Sequence, residues 1–402
     1  MTERRRPRDG GAAASGGVDL AALLQDASVV VVGGSGGVGK TTVSAALATA
    51  LVEHLDARIL VLTVDPARRL ASALGMEIGR DAVPVSAARL RRAGIVPRGE
   101  LVAAMLDTKS SWDRFVERQA PSRESARRIL ANPFYKGISD AFTGSHEFIA
   151  METLYELWAA KEYDIIVLDT PPSRNALDFL DAPTRMSDFV GGRLLSWLAL
   201  PMRVGVRGFN FAAGPFLRIA DRLLGADVVA ELAQFVGEIQ GMYAGVQRRA
   251  AAVYRLLRSS EAAFVVVTTL EPEPFAEAEY FSKRLREYRM PLRALVVNRV
   301  LPALLLDPAA AEVALRLSEG DRETVAALQG LAEPGTARPS VDTARRLGDA
   351  FSVLHRLAER DERQVHRLSA LGRLPVARLP LAETEVGDLE GLAPLSRVLR
   401  GR

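Results

Sequence analysis

Short runs of consecutive apolar residues recur along the chain and alternate with longer segments of helical periodicity. The runs cover residues 29–32, 59–63, 165–168, 264–268 and 292–298, and a further candidate covers 374–379. Strands that are apolar on both faces are typical of a parallel sheet covered by helices on each side. The pattern therefore predicts an α/β fold with a mostly parallel sheet of seven or eight strands.

Two long segments between these runs have the composition or spacing of helices. Residues 101–162 place scattered aromatic side chains in a polar, arginine-rich background, and residues 185–260 repeat apolar side chains at helical spacing. We expect a helical insertion at about 185–260. Its apolar stripe could pack on its own domain or be offered to a client or partner. Residues 301–370 predict polar surface helices that are interrupted between Pro334 and Pro339.

Composition and charge narrow the possible classes of function. The 402 residues are 48% hydrophobic and 25% charged, as in an ordinary globular protein. The 52 basic and 49 acidic residues give a net charge of +3, and four arginines lie within the first ten residues. Because the rest of the chain is close to neutral and has no basic stripe, we expect no nucleic-acid partner.

The chain contains no cysteine, so a disulfide framework, a thiolate zinc site and an iron–sulfur cluster are excluded. Residues 1–26 lack the apolar segment of a secretory signal and predict a flexible arm in front of a folded part at 27–402. No uncharged apolar run reaches the roughly 18–20 residues that a membrane span needs. These features are consistent with a cytoplasmic protein.

The strongest chemical signal follows the first apolar run. Residues 34–41 read GSGGVGKT and match G-x-x-x-x-G-K-[ST], between a predicted strand and a predicted helix at 42–55. In such a loop the backbone N–H groups surround a β-phosphate, Lys40 neutralises phosphate oxygens, and Thr41 can ligate Mg²⁺. The expected nucleotide-binding residues are Gly34, Ser35, Gly36, Gly37, Val38, Gly39, Lys40, Thr41 and Thr42.

Polar residues at the ends of three other predicted strands extend this site. Asp65 and Asp169 follow apolar runs, so both belong at the edge of the sheet that carries the phosphate loop. Asp169 is the expected Walker B acid next to Mg²⁺, and Asp65 could orient the attacking water near the same ion, although either could instead cap a helix or turn. The guanine motif N-K-x-D is absent, whereas Asn298 ends a strand where its amide can pair with adenine. ATP is therefore the expected nucleotide.

These motifs in this order resemble the ArsA-type ATPases, a P-loop family that also includes MinD and the ATPase that targets tail-anchored membrane proteins. GGSGGVGKTT is similar to the family's P-loop, LTVDPARRLA to switch I, VLDTPPSRNALDFLDAP to switch II and VVNRV to the adenine-contacting segment. The resemblance, which begins at about residue 27, implies that Asp65 positions water, that Asp169 lies near Mg²⁺ and that Asn298 contacts adenine. It places Pro380 and Leu381 in a loop covering the base. The details are most similar to the paired ArsA-like ATPases of actinobacteria.

Two departures from the family pattern shape the expected function. Members of this deviant Walker A class usually carry a second, signature lysine that reaches the partner subunit's nucleotide, and here that position is Ser35. The absence of cysteine excludes arsenite ligation and a zinc clasp between subunits. We therefore expect a Mg·ATP-hydrolysing ATPase that forms a heterodimer with a lysine-bearing paralogue. Its opening and closing would be coupled to a hydrophobic or membrane-associated client.

Two other functions remain open at this point. Because Ser35 replaces the signature lysine, the chain could be a nucleotide-binding regulatory subunit with little hydrolysis. It could also be a MinD-like positioning ATPase, peripheral to a membrane rather than purely cytoplasmic. That function predicts a C-terminal amphipathic anchor, whereas the C-terminal sequence LAPLSRVLRGR is short and weakly apolar.

Overall fold

A computed structural model describes residues 17–64, 69–79, 81–133, 135, 145–170, 226–332, 337–370, 374–382 and 386–402. Within these ranges eight strands form one sheet in the order β3-β4-β2-β5-β1-β6-β7-β8. All pairings are parallel except that of β3 with β4. The strands are β1 Val29–Gly33, β2 Arg58–Thr63, β3 Val83–Pro84, β4 Glu100–Met105, β5 Ile165–Asp169, β6 Ala262–Thr268, β7 Leu292–Val300 and β8 Val376–Pro380. The predicted α/β fold is confirmed.

Helices cover both faces of this sheet. In chain order they are α1 Leu20–Leu24, α2 Lys40–His54, α3 Arg69–Ala73, α4 Ala87–Arg92, α5 Thr108–Gln119, α6 Arg123–Ala131, α7 Ser145–Ala160, α8 Ala226–Gly241, α9 Tyr243–Arg258, α10 Pro272–Glu287, α11 Pro308–Glu319, α12 Arg322–Gly330, α13 Val341–Ala370 and α14 Leu389–Leu399. A short 3₁₀ helix spans Ala303–Leu306. The expected surface helices of residues 301–370 are present, and the expected interruption separates α12 from α13.

Strand β1 shows why the apolar runs are continuous. Val29 and Val31 pack into the core on one face of the sheet, whereas Val30 and Val32 pack into the core on the other face. Successive side chains of a strand point to opposite faces, so a strand with helices on both sides needs apolar residues at every position. All four valines are fully buried.

The expectation of helix throughout residues 101–162 is wrong at its start, where β4 lies between β3 and β2. The sequence of β4, ELVAAM, consists largely of residues with good helix propensity. Its side chains Leu101 and Ala103 are buried on one face and Val102 on the other. Tertiary burial within the sheet therefore overrides the local preference.

Part of the flexible arm that the sequence predicts for residues 1–26 is folded in the structure. Helix α1 buries Leu20 and Leu24 completely, and the side chain of Asp19 caps it by accepting a hydrogen bond from the N–H of Ala22 at 2.9 Å. Asp19 also forms an antiparallel bridge with Arg400 near the C-terminus. Residues 1–16 of the predicted arm lie outside the described residues.

The C-terminal helix α14 packs on α2 and buries its apolar face. Leu392, Leu395 and Leu399 are all buried there, and Arg400 forms an ion pair with Glu53 of α2 at 3.1 Å. This helix therefore does not present the apolar face that a MinD-like membrane anchor requires. None of the helices in the described ranges has the length and apolarity needed to cross a membrane.

Part of the predicted helical insertion is described. Residues 226–258 form α8 and α9, which contact α6 and α7 respectively. Residues 185–225 lie outside the described residues, so the insertion as a whole stays a prediction.

Candidate functional site

The loop between β1 and α2 has the backbone that a phosphate cradle needs. Gly34 and Gly37 have φ angles of 153° and 79°, in a region that side-chain-bearing residues rarely adopt. A Cβ at Gly34 would lie 2.2 Å from the carbonyl oxygen of Val267, whereas a Cβ at Gly37 would meet no atom within 4 Å. The loop is thus packed tightly against β6 at Gly34 and is open at Gly37, as a loop that receives a phosphate group must be.

Lys40 begins α2 and holds its ammonium group inside this loop. Its Nζ donates hydrogen bonds to the carbonyl oxygens of Gly34 and Ser35 at 3.0 and 2.8 Å, and the residue is only 7% exposed. The N-terminus of α2 adds partial positive charge at the same place. The positive charge expected from the sequence is therefore already beside the cradle.

Asp169 lies at the end of β5 and is completely buried. Its Oδ2 accepts hydrogen bonds from the Thr41 hydroxyl at 2.7 Å and from the Thr63 hydroxyl at 2.8 Å. Thr63 ends the neighbouring strand β2 in register with Asp169. Two hydroxyl donors to one carboxylate oxygen favour the ionised form of a carboxyl. The structure therefore joins Thr41 and Asp169, as the sequence predicts, and adds Thr63.

Thr63 is the residue that the sequence reasoning missed. The sequence does contain a signal for it: like Asp169, Thr63 is a polar residue at the end of an apolar run. Threonine also has high strand propensity, so its presence at the end of a strand does not by itself indicate a functional role.

Hard oxygen ligands are what Mg²⁺ prefers, and Thr41 with Asp169 supplies one hydroxyl and one carboxylate. The described residues contain no cluster of three His, Asp or Glu side chains arranged for a metal ion. The remaining ligands would then be phosphate oxygens and water, as is usual for Mg²⁺ at nucleotide sites. Asp65, the other predicted carboxylate, lies outside the described residues, and its roles stay predictions.

Asn298 reaches the phosphate loop from the end of β7. Its Nδ2 donates to the carbonyl oxygen of Val38 at 2.8 Å, and its Oδ1 accepts from the N–H of Arg299 at 3.0 Å. An amide has one further N–H and one further lone pair, which a base edge could use. The adenine contact of Asn298 therefore stays a prediction.

Pro380 and Leu381 lie at the end of the adjacent strand β8 and are exposed. The backbone N–H of Leu381 donates to the carbonyl oxygen of Val300 at 2.9 Å. This bond ties the end of β8 to the end of β7, the strand that carries Asn298. The base-covering role of Pro380 and Leu381 stays a prediction as well.

Ser35 occupies the position where the family usually has its signature lysine. The residue is 8% exposed, and its Oγ is buried with no hydrogen-bond partner among the described residues. In this arrangement the hydroxyl is not exposed at the surface. Of the other loop residues, Val38 is buried, Gly36 lies on the open side and Thr42 is half-buried in α2.

A second buried carboxyl lies away from the phosphate loop, on the helix that precedes β5. Glu152 of α7 is 2% exposed, and its Oε1 lies 2.8 Å from Nε of Arg249 on α9. Burial raises the pKa of Glu152 to about 7, although the charge of Arg249 acts in the opposite direction. Arg249 also lies over the ring of Tyr155, 4.6 Å from its centroid. This cluster joins the helical region to the element that leads to Asp169.

Comparison with known proteins decides the family. The sequence profile of the anion-transporting ATPases matches residues 27–316. The chain belongs to the anion-transporting ATPase family. The family resemblance inferred from the motifs and the assignment of the chain as an ATPase are therefore both confirmed.

Relatives in this family are similar to the chain over most of its length. ATPase GET3 of Malassezia globosa is 27% identical over 269 residues, which are 67% of this chain and 71% of the relative. ATPase get3 of Schizosaccharomyces pombe is 27% identical over 293 residues, 71% of this chain and 77% of the relative. ATPase ARSA2 of Chlamydomonas reinhardtii is 26% identical over 280 residues, 68% of this chain and 67% of the relative.

The family match covers the elements that carry the candidate nucleotide site of this ATPase. It includes Lys40, Thr41, Asp169 and Asn298, and it ends before Pro380. The assignment of Pro380 and Leu381 to a base-covering loop therefore rests on the motif resemblance and on their place beside β7.

Proposed function

We propose that this ATPase binds Mg·ATP on the loop between β1 and α2 and hydrolyses it by direct attack of water. The observation that carries the proposal is the hydrogen bond from the Thr41 hydroxyl to the buried Asp169 carboxylate, at the same loop whose carbonyl oxygens bind the Lys40 ammonium. A carboxylate, a hydroxyl and an ammonium at one glycine loop are what triphosphate and its metal require. A bound Mg²⁺ would supply positive charge at the β- and γ-phosphates.

The residues of the chain divide the work as follows. Lys40 exchanges its two loop carbonyls for phosphate oxygens, while the loop N–H groups surround the β-phosphate. Asp169 keeps Thr41 oriented, and these two residues would offer a carboxylate and a hydroxyl oxygen to a bound Mg²⁺. The Thr63 hydroxyl donates a second hydrogen bond to the same oxygen of Asp169 and so fixes the orientation of the carboxylate. Asp65 orients the attacking water, as the family resemblance implies.

Heterodimer formation is the second part of the proposal, and Ser35 supports it. A serine in place of the signature lysine leaves this chain without a cation for a partner's nucleotide. Loss of a comparable cation supplied in trans lowers turnover on the order of 10³-fold or more. We infer that a lysine-bearing paralogue supplies the cation to this chain's site, and that only this site then turns over rapidly.

The third part of the proposal is that the helical region handles a client during the cycle of ATP binding and hydrolysis. Closing and opening of the dimer around ATP would change the surface offered by the insertion at about 185–260 to a hydrophobic or membrane-associated client. The client must bind the two states with different affinity, since only differential binding can shift such an equilibrium.

Phosphate release with Mg·ATP tests hydrolysis and the role of Ser35 together. The purified chain should turn over slowly, and Ser35→Lys or addition of a lysine-bearing paralogue should raise the rate at least tenfold. Ser35→Met is the matched control, because it supplies length without charge. Asp169→Asn should abolish hydrolysis by this chain, alone or as Ser35→Lys, and most of the hydrolysis of the pair, while ATP still binds. Rapid hydrolysis by the isolated chain, unchanged in Ser35→Lys, would contradict the heterodimer proposal.

A regulatory subunit with little hydrolysis is the second candidate, and the same Ser35 position favours it. Single-turnover measurements separate the two functions, with Asp65→Asn as the inactive control. If the paired chain binds ATP but releases no phosphate beyond that control, the regulatory function is correct and the hydrolytic one is wrong.

A further inference from the structure

Strand β7 ends in a bulge that points a side chain at the phosphate loop. Its pairing with β8 shifts register between Val297 and Val300. Within the shift, Arg299 has a φ of 60°, which is uncommon for a residue with a side chain. Bulges redirect side chains next to functional sites, and a strained residue persists only where its surroundings hold it. The redirected side chain here is that of Asn298.

The amide of Asn298 is held in one orientation. Its Oδ1 accepts from the Arg299 N–H at 3.0 Å, and its Nδ2 donates to the Val38 carbonyl at 2.8 Å. A flipped amide would oppose two acceptors at Val38 and two donors at Arg299. The neighbours therefore fix which end of the amide faces the loop.

The contact with the loop is close. Gly39 has a φ of 91°, and a Cβ at this position would lie 2.4 Å from Nδ2 of Asn298. The next residue is Lys40, whose ammonium crosses the loop. Asn298 thus braces the loop immediately before the residue that carries its positive charge.

We propose that Asn298 is a positioning residue that holds the phosphate loop in its binding conformation, whether or not a base is present. The inference rests on the proposed nucleotide site and adds a role that differs from contact with adenine. A loop with four glycines between residues 34 and 39 has many alternative conformations, and one bond from a neighbouring strand reduces them. The bond is made to the loop backbone, so it strengthens the binding of any ligand that the loop holds by its phosphates.

A ligand without a base distinguishes this role from adenine recognition. Isothermal titration with Mg·ATP and with magnesium tripolyphosphate should show that Asn298→Ala weakens both by a similar factor, about fivefold for one hydrogen bond. Asn298→Asp should weaken both by a larger factor, because it replaces the donor facing Val38 with an oxygen and adds a negative charge beside the phosphate loop. Arg293→Ala, at an exposed position on the same strand, should leave both affinities unchanged.

Three results would overturn the proposal, each by a different route. Weaker binding of ATP with unchanged binding of tripolyphosphate would assign Asn298 to the base alone. A lower thermal midpoint of the ligand-free variant, with both affinities intact well below that midpoint, would make the residue merely structural. If the wild-type chain bound neither ligand, the proposed nucleotide site itself would be wrong, and the brace with it.

Discussion

The buried carboxyl of Glu152 leads to a specific prediction about stability and pH. In the native protein burial raises its pKa to about 7, from an ordinary value of 4.5. Between these two values the native state holds a proton that the unfolded chain has released. The free energy of unfolding should therefore fall as pH rises through this interval, which is the opposite of the usual behaviour of a salt-bridged carboxylate.

The size of the effect follows from the shift. A displacement of one pKa unit corresponds to about 1.4 kcal/mol, so the Glu152 contribution lost between about pH 4.5 and about pH 7 is at most about 3.5 kcal/mol. Glu152→Gln replaces the carboxyl with a neutral group of the same shape. The difference in unfolding free energy between variant and wild type should then shift in favour of the variant by about 2–3 kcal/mol from about pH 5 to about pH 8.

Urea unfolding at half-unit pH steps measures this difference directly. Glu147→Gln, which removes another carboxyl of α7 and keeps Glu152, should retain the wild-type slope. Parallel stability profiles for wild type and Glu152→Gln would refute the reasoning. They would show that Arg249, 2.8 Å away, stabilises the ionised carboxylate enough to cancel the effect of burial.

Three further substitutions test the packing around the site and the frame that supports it. Gly34→Ala should abolish nucleotide binding in titrations, because its Cβ would lie 2.2 Å from a backbone carbonyl. Arg400→Ala removes the 3.1 Å ion pair of the half-buried Glu53 and should cost about 1–2 kcal/mol in urea unfolding, a loss that an added Glu53→Gln reduces. Gly348→Ala should cost about 1–3 kcal/mol, because its Cβ would lie 2.3 Å from a carbonyl of α11, whereas Gly330→Ala, with nothing within 4 Å, should not.

The fold could be predicted from those strands that are buried on both faces, because they require an unbroken run of apolar residues. The valines of β1 alternate between two cores, so the run of apolar residues is unbroken and the parallel sheet is evident. Strand β4 could not be found in this way, because alanine, leucine and methionine serve equally well in a buried helix. Helix α1 was missed because it is only five residues long and follows a stretch of glycine, alanine and arginine.

In the candidate site, too, some residues could be predicted from a local motif, whereas others depend on the arrangement of the sheet. The phosphate loop has a mechanism that dictates its residue types, so Lys40 and Thr41 could be assigned from spacing alone. The partner of Asp169 on β2 depends on which strand neighbours β5, and that order is a property of the sheet. Likewise, the direction of Asn298 depends on a bulge at Arg299, which no local pattern in β7 indicates.

The geometry around Ser35 indicates which of the two nucleotide sites in the proposed heterodimer depends on the partner's lysine. The carbonyl oxygen of Ser35 accepts a hydrogen bond from the Lys40 ammonium at 2.8 Å, and the Ser35 hydroxyl is buried. A lysine at position 35 would be too long for that position and would repel Lys40, so its ammonium would extend away from the loop. In the proposed heterodimer the serine would leave the chain's own phosphate site intact and remove only the cation that the chain could give to a partner. In a heterodimer, Lys40→Ala in this chain should consequently abolish most turnover, whereas the equivalent change in the partner's phosphate loop should leave most of it.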